Sequence, residues 1–570
     1  MFANGRIWLA YLIVFVSSTC AMAIELVAGR IMAPYIGVSL YTWTSIIGIV
    51  LAGMSLGNFV GGLLADRRAS RPTLGLTFVA GGLASLGILV MTQLVVATEI
   101  QMSLIPRTVL YTTAIFFLPS LVLGMVSPIV IKLALADLKR TGNTVGSIYA
   151  FSTVGSIFGT FATGFWLISW LGTRTIVWLV ALVLLAMGLV VGEFWRPKGR
   201  LAALSGTLLA CGVALRINSS NTLRWLAPES IGNYTVATAF VVALLPAILV
   251  LLAFLTRRPA TVATGLVVVA FGLVYLGWDA GLYRAPCERE SNYFCIRTSE
   301  TTVDGHKVRA LVLDHLIHSY VSLDDPKVLG YGYERVYAEL TQFYAAEHPG
   351  NGLDTLFIGG GGYTFPRYVE AVYPSSTIDV MEIDPAVTQA AHDYLNLSPD
   401  TRIRSFNSDA RTFLMEWKEP KKYDVVYGDA FNDLSVPYHL TTVEFDQMIA
   451  SRMKDDGIYV VNVIDKLEGG EFMKAFMNSL REVFPNVYLL SQGEAWKGSG
   501  ANTYVIMASR EPFDWARFER VVGASGPLRT NMLPAPELEA YLSSGRKIVL
   551  TDDYVPVDQL VARLFLDRGV

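Results

Sequence analysis

The run Leu356-Phe357-Ile358-Gly359-Gly360-Gly361-Gly362 is followed further along by Val380-Met381-Glu382-Ile383-Asp384. A glycine-rich turn lets the backbone approach a ligand closely, and a carboxylate at the next strand end can accept both hydroxyl hydrogens of a ribose. This is how a nucleoside is held at the switch point of a doubly wound sheet, so Gly359, Gly360, Gly361, Gly362 and Glu382 are candidate contacts. A lone glycine turn says little. Its weight comes from two more polar strand ends, Asn407-Ser408-Asp409-Ala410 and Tyr427-Gly428-Asp429-Ala430, each after or beside an apolar run. Ligands in such sheets sit outside the carboxyl ends of the strands.

These groups need alternating elements to carry them. Residues from about 354 to 508 alternate as strands and helices, the pattern of a parallel sheet with helices on both faces. Upstream, residues from about 290 to 324 read as short strands around Asp304-Gly305, a strong hairpin signal.

The rest of the chain is of another kind. With 570 residues, 53% of them hydrophobic, and a mean hydropathy of +0.44, it is too long for one domain and too apolar for an ordinary soluble protein. The excess lies before residue 280, in runs long enough to cross a hydrocarbon layer of about 30 Å. Nine spans are expected, near 7 to 28, 40 to 64, 73 to 96, 107 to 135, 145 to 171, 174 to 192, 201 to 215, 236 to 256 and 260 to 277. Residues 1–280 are therefore expected to form a multi-pass helical domain in a lipid bilayer, and 281–570 a second, α/β domain. The first apolar run continues past any cleavage site into Glu25-Leu26-Val27-Ala28-Gly29-Arg30, so it reads as a true helix rather than a cleaved leader. Arg30 is the expected partner of Glu25, because an ionisable group in a span is costly unless paired or wet. Glycines four apart at Gly155 and Gly159 suit close helix packing.

The net charge of -3 gives no basic footprint and argues against a nucleic-acid partner. Basic residues follow the even spans: Arg67, Arg68 and Arg71; Lys132, Lys139 and Arg140; Arg196, Lys198 and Arg200; Arg257 and Arg258. By the positive-inside rule this puts the N-terminus in the cytoplasm and, with nine spans, the C-terminal domain on the outer face of the inner (plasma) membrane. Cys20 and Cys211 fall in apolar spans and read as small buried residues. Cys287 and Cys295, eight apart, leave a disulfide open, and one would need an oxidising compartment.

The C-terminal half resembles the spermidine synthase (polyamine aminopropyltransferase) family, and the whole chain resembles its membrane-fused members. The likeness rests on Glu290-Ser291-Asn292-Tyr293, Leu313-Asp314-His315-Leu316-Ile317-His318-Ser319, Tyr337-Ala338-Glu339, the glycine turn through Arg367, Glu382-Ile383-Asp384, Asp409-Ala410 and Asp429. In the membrane half it rests on Glu25 to Arg30, Pro34-Tyr35-Ile36-Gly37 and Trp43-Thr44. The resemblance implies a Rossmann-like, class I methyltransferase-type α/β domain with an N-terminal β-hairpin region. It also implies a transferase that binds S-adenosylmethionine or its decarboxylated form as substrate and releases methylthioadenosine, with no metal. Glu382 would bind the ribose and Asp409 and Ala410 the adenine, with Ile383 a further contact. Gly359 to Gly362, Tyr363, Tyr337 and Tyr293 are candidates to line the ligand, and Asp429 would act near the reacting amine; His318, whose imidazole can serve as a base, is the second catalytic candidate. A carboxylate near the amine can take its proton and hold developing charge.

The sequence departs from the family at several points. Gly362 stands where the family has an aspartate, and Tyr363 and Thr364 where it has glycines; His318 replaces glutamine, Ala338 histidine, and Asn432 a second aspartate, beside Asp433. Loss of the aspartate at 362 is expected to open the pocket to intact S-adenosylmethionine, whose own carboxylate could act as the internal nucleophile. Transfer to putrescine, cleavage of the three-carbon arm, methyl transfer, and a non-enzymatic sensor or transporter of an adenosyl ligand or polyamine all stay open. So do a polyamine acceptor and a homo-oligomer.

Overall fold

The computed structural model describes residues 7–97, 102–135, 141–193, 286–350, 352–430, 436–498 and 500–566. The spans expected near 201 to 215, 236 to 256 and 260 to 277, with Cys211, Asn432 and Asp433, lie outside them. The chain divides into two units, Met1–Pro286 and Cys287–Gly569.

The first unit is helical: α1 (Ile7–Ile36), α2 (Leu40–Arg68), α3 (Arg71–Ala97), α4 (Leu104–Gly124), α5 (Val126–Ala134), α6 (Thr141–Ala162), α7 (Ile168–Leu171) and α8 (Thr173–Val191). A π-helical turn, Thr163–Leu167, joins α6 to α7. Counted as continuous rods, these make six helices long and apolar enough to cross a membrane, matching the first six expected spans. Their ends follow local chemistry. Ser39 caps α2 by accepting the Thr42 amide, and Gly172, at φ 72°, breaks α7 from α8. Small residues let the helices pack closely. A Cβ on Gly155 would lie 2.3 Å from the Phe15 carbonyl oxygen, and one on Gly159 2.6 Å from that of Thr19, so α1 and α6 touch backbone to backbone. At the helix ends, Lys132 pairs with Asp66 at 2.8 Å and Arg71 with Glu193.

The second unit begins with four antiparallel strands, β1 (Arg289–Glu290), β2 (Cys295–Val303), β3 (His306–Leu313) and β4 (Leu316–Val321). Asp304 and Gly305 both take positive φ at the β2–β3 turn, as the hairpin signal requires. Cys287 and Cys295 form a disulfide across the β1–β2 turn, with Cα atoms 5.2 Å apart.

The main sheet contains β5 (Asp354–Ile358), β6 (Thr377–Met381), β7 (Arg404–Phe406), β8 (Tyr423–Gly428), β9 (Met453–Asp465), β10 (Asn486–Gln492), β11 (Asn502–Ser509) and β12 (Thr530–Met532). Its order is β12-β10-β11-β9-β8-β5-β6-β7, with β7, β6, β5, β8 and β9 parallel and the rest antiparallel. β5, β6, β8 and the second half of β9 are buried on both faces, which is why they read as apolar runs rather than alternations, whereas the edge strand β7 is not. Helices α9 (Gly332–Glu347), α10 (Thr364–Val372), α11 (Pro385–Tyr394), α12 (Ala410–Glu416), α13 (Val443–Arg452) and α14 (Phe472–Arg481) connect or cover them. Chain direction across the sheet reverses between β5 and β8, so the loops after these two strands bound the crevice where a ligand belongs. An aromatic core supports that crevice from below: Phe357 stacks on Tyr427 at 4.4 Å, and Tyr337 and Phe365 close around them.

Candidate active site

Where β5 ends, Gly359 turns at φ 97°, and a Cβ there would lie 2.3 Å from the Asp429 carbonyl oxygen. Only glycine lets the loop rest on the end of β8 in this way. The next two amides, of Gly360 and Gly361, donate to one Glu382 oxygen at 2.9 and 3.2 Å, while the Asp384 amide donates to the other at 3.0 Å. Burial raises the pKa of Glu382 despite these three donors. A carboxylate has about four acceptor directions, so the amides fix its orientation and leave room for one more donor.

Two further groups gather beside Glu382. Asp409 caps α12 through the Thr412 amide at 2.9 Å and accepts His439 Nε2 at 2.7 Å. Burial pushes its pKa up, but these two partners outweigh it and hold the carboxyl below the usual range. Tyr293 is held by its neighbour Ser291, whose hydroxyl accepts the Tyr293 amide at 3.0 Å and donates to Asp384. Partial burial, then the charges of Asp384, Asp409 and Glu382, raise the Tyr293 phenol, so the tyrosine sits in the field of all three carboxylates. Ile383 is partly buried between Glu382 and Asp384, and Ala410 is buried in the first turn of α12.

Across the glycine loop lies a cavity of about 190 Å³, walled by β4, the start of α9, the loop itself, the end of β8, and β9. Asp429 faces it. The Tyr333 hydroxyl donates to Asp429 Oδ2 at 3.0 Å and the Asn462 side chain also favours the ionised form, yet burial still pushes the Asp429 carboxyl up to about 6. Glu334, in the first turn of α9, is raised by burial to about 8, although backbone amides at Tyr331 and Gly330 oppose the rise. Burial thus raises both carboxyls, and Glu334 further than Asp429. The rings of Tyr331, Tyr333 and Tyr337 contact one another in series, with centroids 5.5 and 5.4 Å apart. Tyr337 is anchored by its hydroxyl, which donates to the Gly428 carbonyl at 3.3 Å.

The expected residues therefore fall into two groups. Asp429, His318, Tyr337, Gly359, Gly360 and Gly361 line the cavity. Glu382, Asp409 and Tyr293 gather on the far side of the loop, with Ile383 and Ala410 next to them in sequence. Gly362 and Tyr363 join neither. The left-handed turn at Tyr363, φ 56°, sends its ring into the core, where the hydroxyl meets Thr388 and Ser405, both at 3.0 Å. The Gly362 amide donates to Ser319 Oγ at 2.8 Å, and a Cβ at 362 would lie 2.6 Å from Ser319 Cβ and 2.8 Å from a Val321 methyl. β4 therefore fills the space that a side chain at 362 would take, while the charge that an aspartate would bring there is absent.

Tyr331, Tyr333, Glu334 and Asn462 were not singled out from the sequence. Glu334 does stand three places after Tyr331, the spacing of a capping box, and its carboxylate accepts the Tyr331 amide at 3.0 Å, while the Tyr331 hydroxyl donates to the Ile317 carbonyl at 2.6 Å rather than to the helix. Asn462 interrupts the apolar run Ile458–Ile464, a polar residue where burial on both faces is expected. Among the described residues, no group of three or more His, Cys, Asp or Glu side chains is arranged to hold a metal ion.

Residues 334–492 match the spermine/spermidine synthase domain. This stretch includes the glycine loop, Glu382, Asp409, Asp429 and Asn462, but neither Tyr293 nor His318. A polyamine aminopropyltransferase of Vibrio vulnificus is 36% identical over 108 residues, 19% of this chain and 36% of that protein. The eEF1A lysine and N-terminal methyltransferase of Xenopus laevis is 26% identical over 141 residues, 23% of this chain and 20% of that protein. In a solved structure, a probable spermidine synthase from Corynebacterium glutamicum aligns with 46% of this chain and 95% of its own at 22% identity and a TM-score of 0.41. The matched stretch spans about a third of the Vibrio protein and a fifth of the Xenopus one. The C-terminal unit of this chain thus contains a spermine/spermidine synthase domain.

Proposed function

We propose that the C-terminal unit binds an adenosyl sulfonium compound, S-adenosylmethionine or its decarboxylated form, and moves or cleaves its three-carbon arm, releasing methylthioadenosine. The observation that carries this is Asp429, a carboxylate poised near neutrality at the end of β8, facing a cavity that adjoins the loop from Glu382. Glu382 would accept ribose hydroxyls, with Asp409, Ala410, Ile383 and Tyr293 around the base and sugar. In transfer, the amine lone pair forms a bond to the carbon beside sulfur, the carbon–sulfur pair returns to sulfur as a neutral thioether, and the amine's proton passes to Asp429. The leaving group is already cationic, so no acid is needed. Asn462 would orient Asp429, and His318 is the second candidate base.

The cavity, with Asp429 and Glu334 on its wall, supports a cationic amine as acceptor, with putrescine the simplest one to try. Likeness to the aminopropyltransferase favours transfer, and likeness to the methyltransferase makes methyl transfer the second reading. The purified protein is to be incubated with S-adenosylmethionine alone and with the decarboxylated form plus putrescine. Methylthioadenosine is expected. S-adenosylhomocysteine would establish methyl transfer instead, and unchanged ligand would leave binding without catalysis.

The helical unit is proposed to span a membrane, with the C-terminal unit on the outer face. The basic residues after even spans and the Cys287–Cys295 disulfide support this. A C-terminal reporter active only outside the cytoplasm is expected to be active; a cytoplasmic result would overturn the orientation.

A further inference from the structure

In α1 the charged residues are Glu25 and Arg30. Glu25 lies eleven residues before Ile36, about 16 Å along an axis that rises about 1.5 Å per residue. If the helix spans the bilayer, that is near the middle of a hydrocarbon layer of about 30 Å, where an isolated carboxylate is costly and marks a site that something must satisfy. Among the described residues nothing does so. Glu25 is only half-buried, and no hydrogen-bond donor or cation among the described residues meets its carboxylate. Arg30, the partner expected from sequence, does not pair with it. Five positions on, it points to a different side of the helix, and its own interactions lie elsewhere.

The residue one turn along the same face is Gly29, and there a Cβ would lie 2.8 Å from the Trp43 ring. The indole of α2 thus occupies the space a side chain at 29 would take. The ring of Trp43 thus stands where a side chain four residues, or one turn, from Glu25 would be, and helix positions four apart have Cβ atoms about 5–6 Å from each other. A cation held by the flexible Glu25 side chain on that face can approach the ring to the roughly 6 Å over which an aromatic face attracts it.

We propose that Glu25 and Trp43 form a binding site for an alkylammonium cation within the helical unit. It rests on the membrane reading, because only there does an unpaired carboxylate demand a counter-charge. A compact inorganic ion would gain less from this arrangement, since the carboxylate is alone and one wall is an indole.

The full-length protein in its membranes is to be treated with dicyclohexylcarbodiimide, a lipophilic reagent for carboxyl groups, and the Glu25 peptide quantified by mass spectrometry. Putrescine is the probe. At about ten times its dissociation constant it is expected to lower labelling roughly tenfold by occupying the site. Sodium at equal ionic strength is expected to have no such effect, Trp43→Ala to label without protection, and Glu25→Gln to lose the adduct. An Asp429→Asn background is expected to keep the protection. Absence of labelling, labelling indifferent to putrescine, equal protection by sodium, or protection that survives Trp43→Ala or vanishes with Asp429→Asn would each overturn the site. Alkaline carbonate extraction of the same membranes separates the two proposals. A chain washed off the membrane fails the membrane reading itself, whereas a retained chain without protection fails the cation site alone.

Discussion

The two sides of the glycine loop treat their carboxylates differently. On the nucleoside side, Glu382 is held by three backbone amides and Asp409 by an amide and His439. On the cavity side, Asp429 leans on side chains, Tyr333 and Asn462, and burial lifts it to about 6. Backbone donors are fixed by the fold and cannot titrate, so they suit a group that must keep one orientation and charge while gripping hydroxyls. A carboxyl with few, adjustable partners in a buried setting has a pKa near working pH, which suits proton transfer. In the proposed reading binding and reaction are divided by one loop, with Glu382 hung beneath its amides and Asp429 beneath its first glycine.

If this division is real, the two carboxylates must fail differently. Asp429→Asn is expected to lower turnover by about 10²–10⁴-fold, the usual worth of a positioned general base, while nucleoside affinity stays nearly unchanged. Because only the ionised form accepts a proton, kcat/KM should rise as pH increases through about 6 and be lost below it. Steady-state kinetics with methylthioadenosine calorimetry measure both, and equal losses in rate and affinity would erase the distinction. Glu382→Ala is the converse and the next largest: about 2 kcal/mol or more of nucleoside affinity, the cost of removing one partner of charge-assisted bonds. Unchanged affinity would take Glu382 out of the site.

The two sides also differ in how far they could be read without a structure. Glu382, Asp409 and Asp429 each follow a strand directly, so local spacing was enough to single them out. The cavity wall is assembled from distant segments. Tyr333 reaches Asp429 across 96 positions of sequence, and Asn462 comes from β9, so no local pattern links them. The surroundings of Gly362 were hidden for the same reason. They are set by Ser319 and Val321 of β4, more than forty residues upstream, whose packing fills the space that a side chain at 362 would take. In the helical unit the long apolar runs fixed six helices, because length and apolarity alone select spans. The pairing of Glu25 did not follow, because an i to i+5 spacing separates two residues around a helix rather than joining them.

The smallest expected effect tests the cavity side from within. Tyr333 donates to Asp429 at 3.0 Å, and that bond lowers a pKa that burial raises. Tyr333→Phe keeps the ring contacts with Tyr331 and Tyr337 and removes only the hydroxyl. Without the donor the carboxylate is less stabilised relative to the acid, so its pKa should move upward, by up to about one unit for a bond to a charged group worth about 1.5 kcal/mol. The acidic limb of kcat/KM should shift to higher pH by that amount. Turnover should fall by at most about tenfold at pH 7 and recover at higher pH, since the base itself is still present. A structural role alone would lower the rate at every pH and leave the limb in place. That outcome would mean that Tyr333 merely packs and that the acidity of Asp429 is set by burial without it.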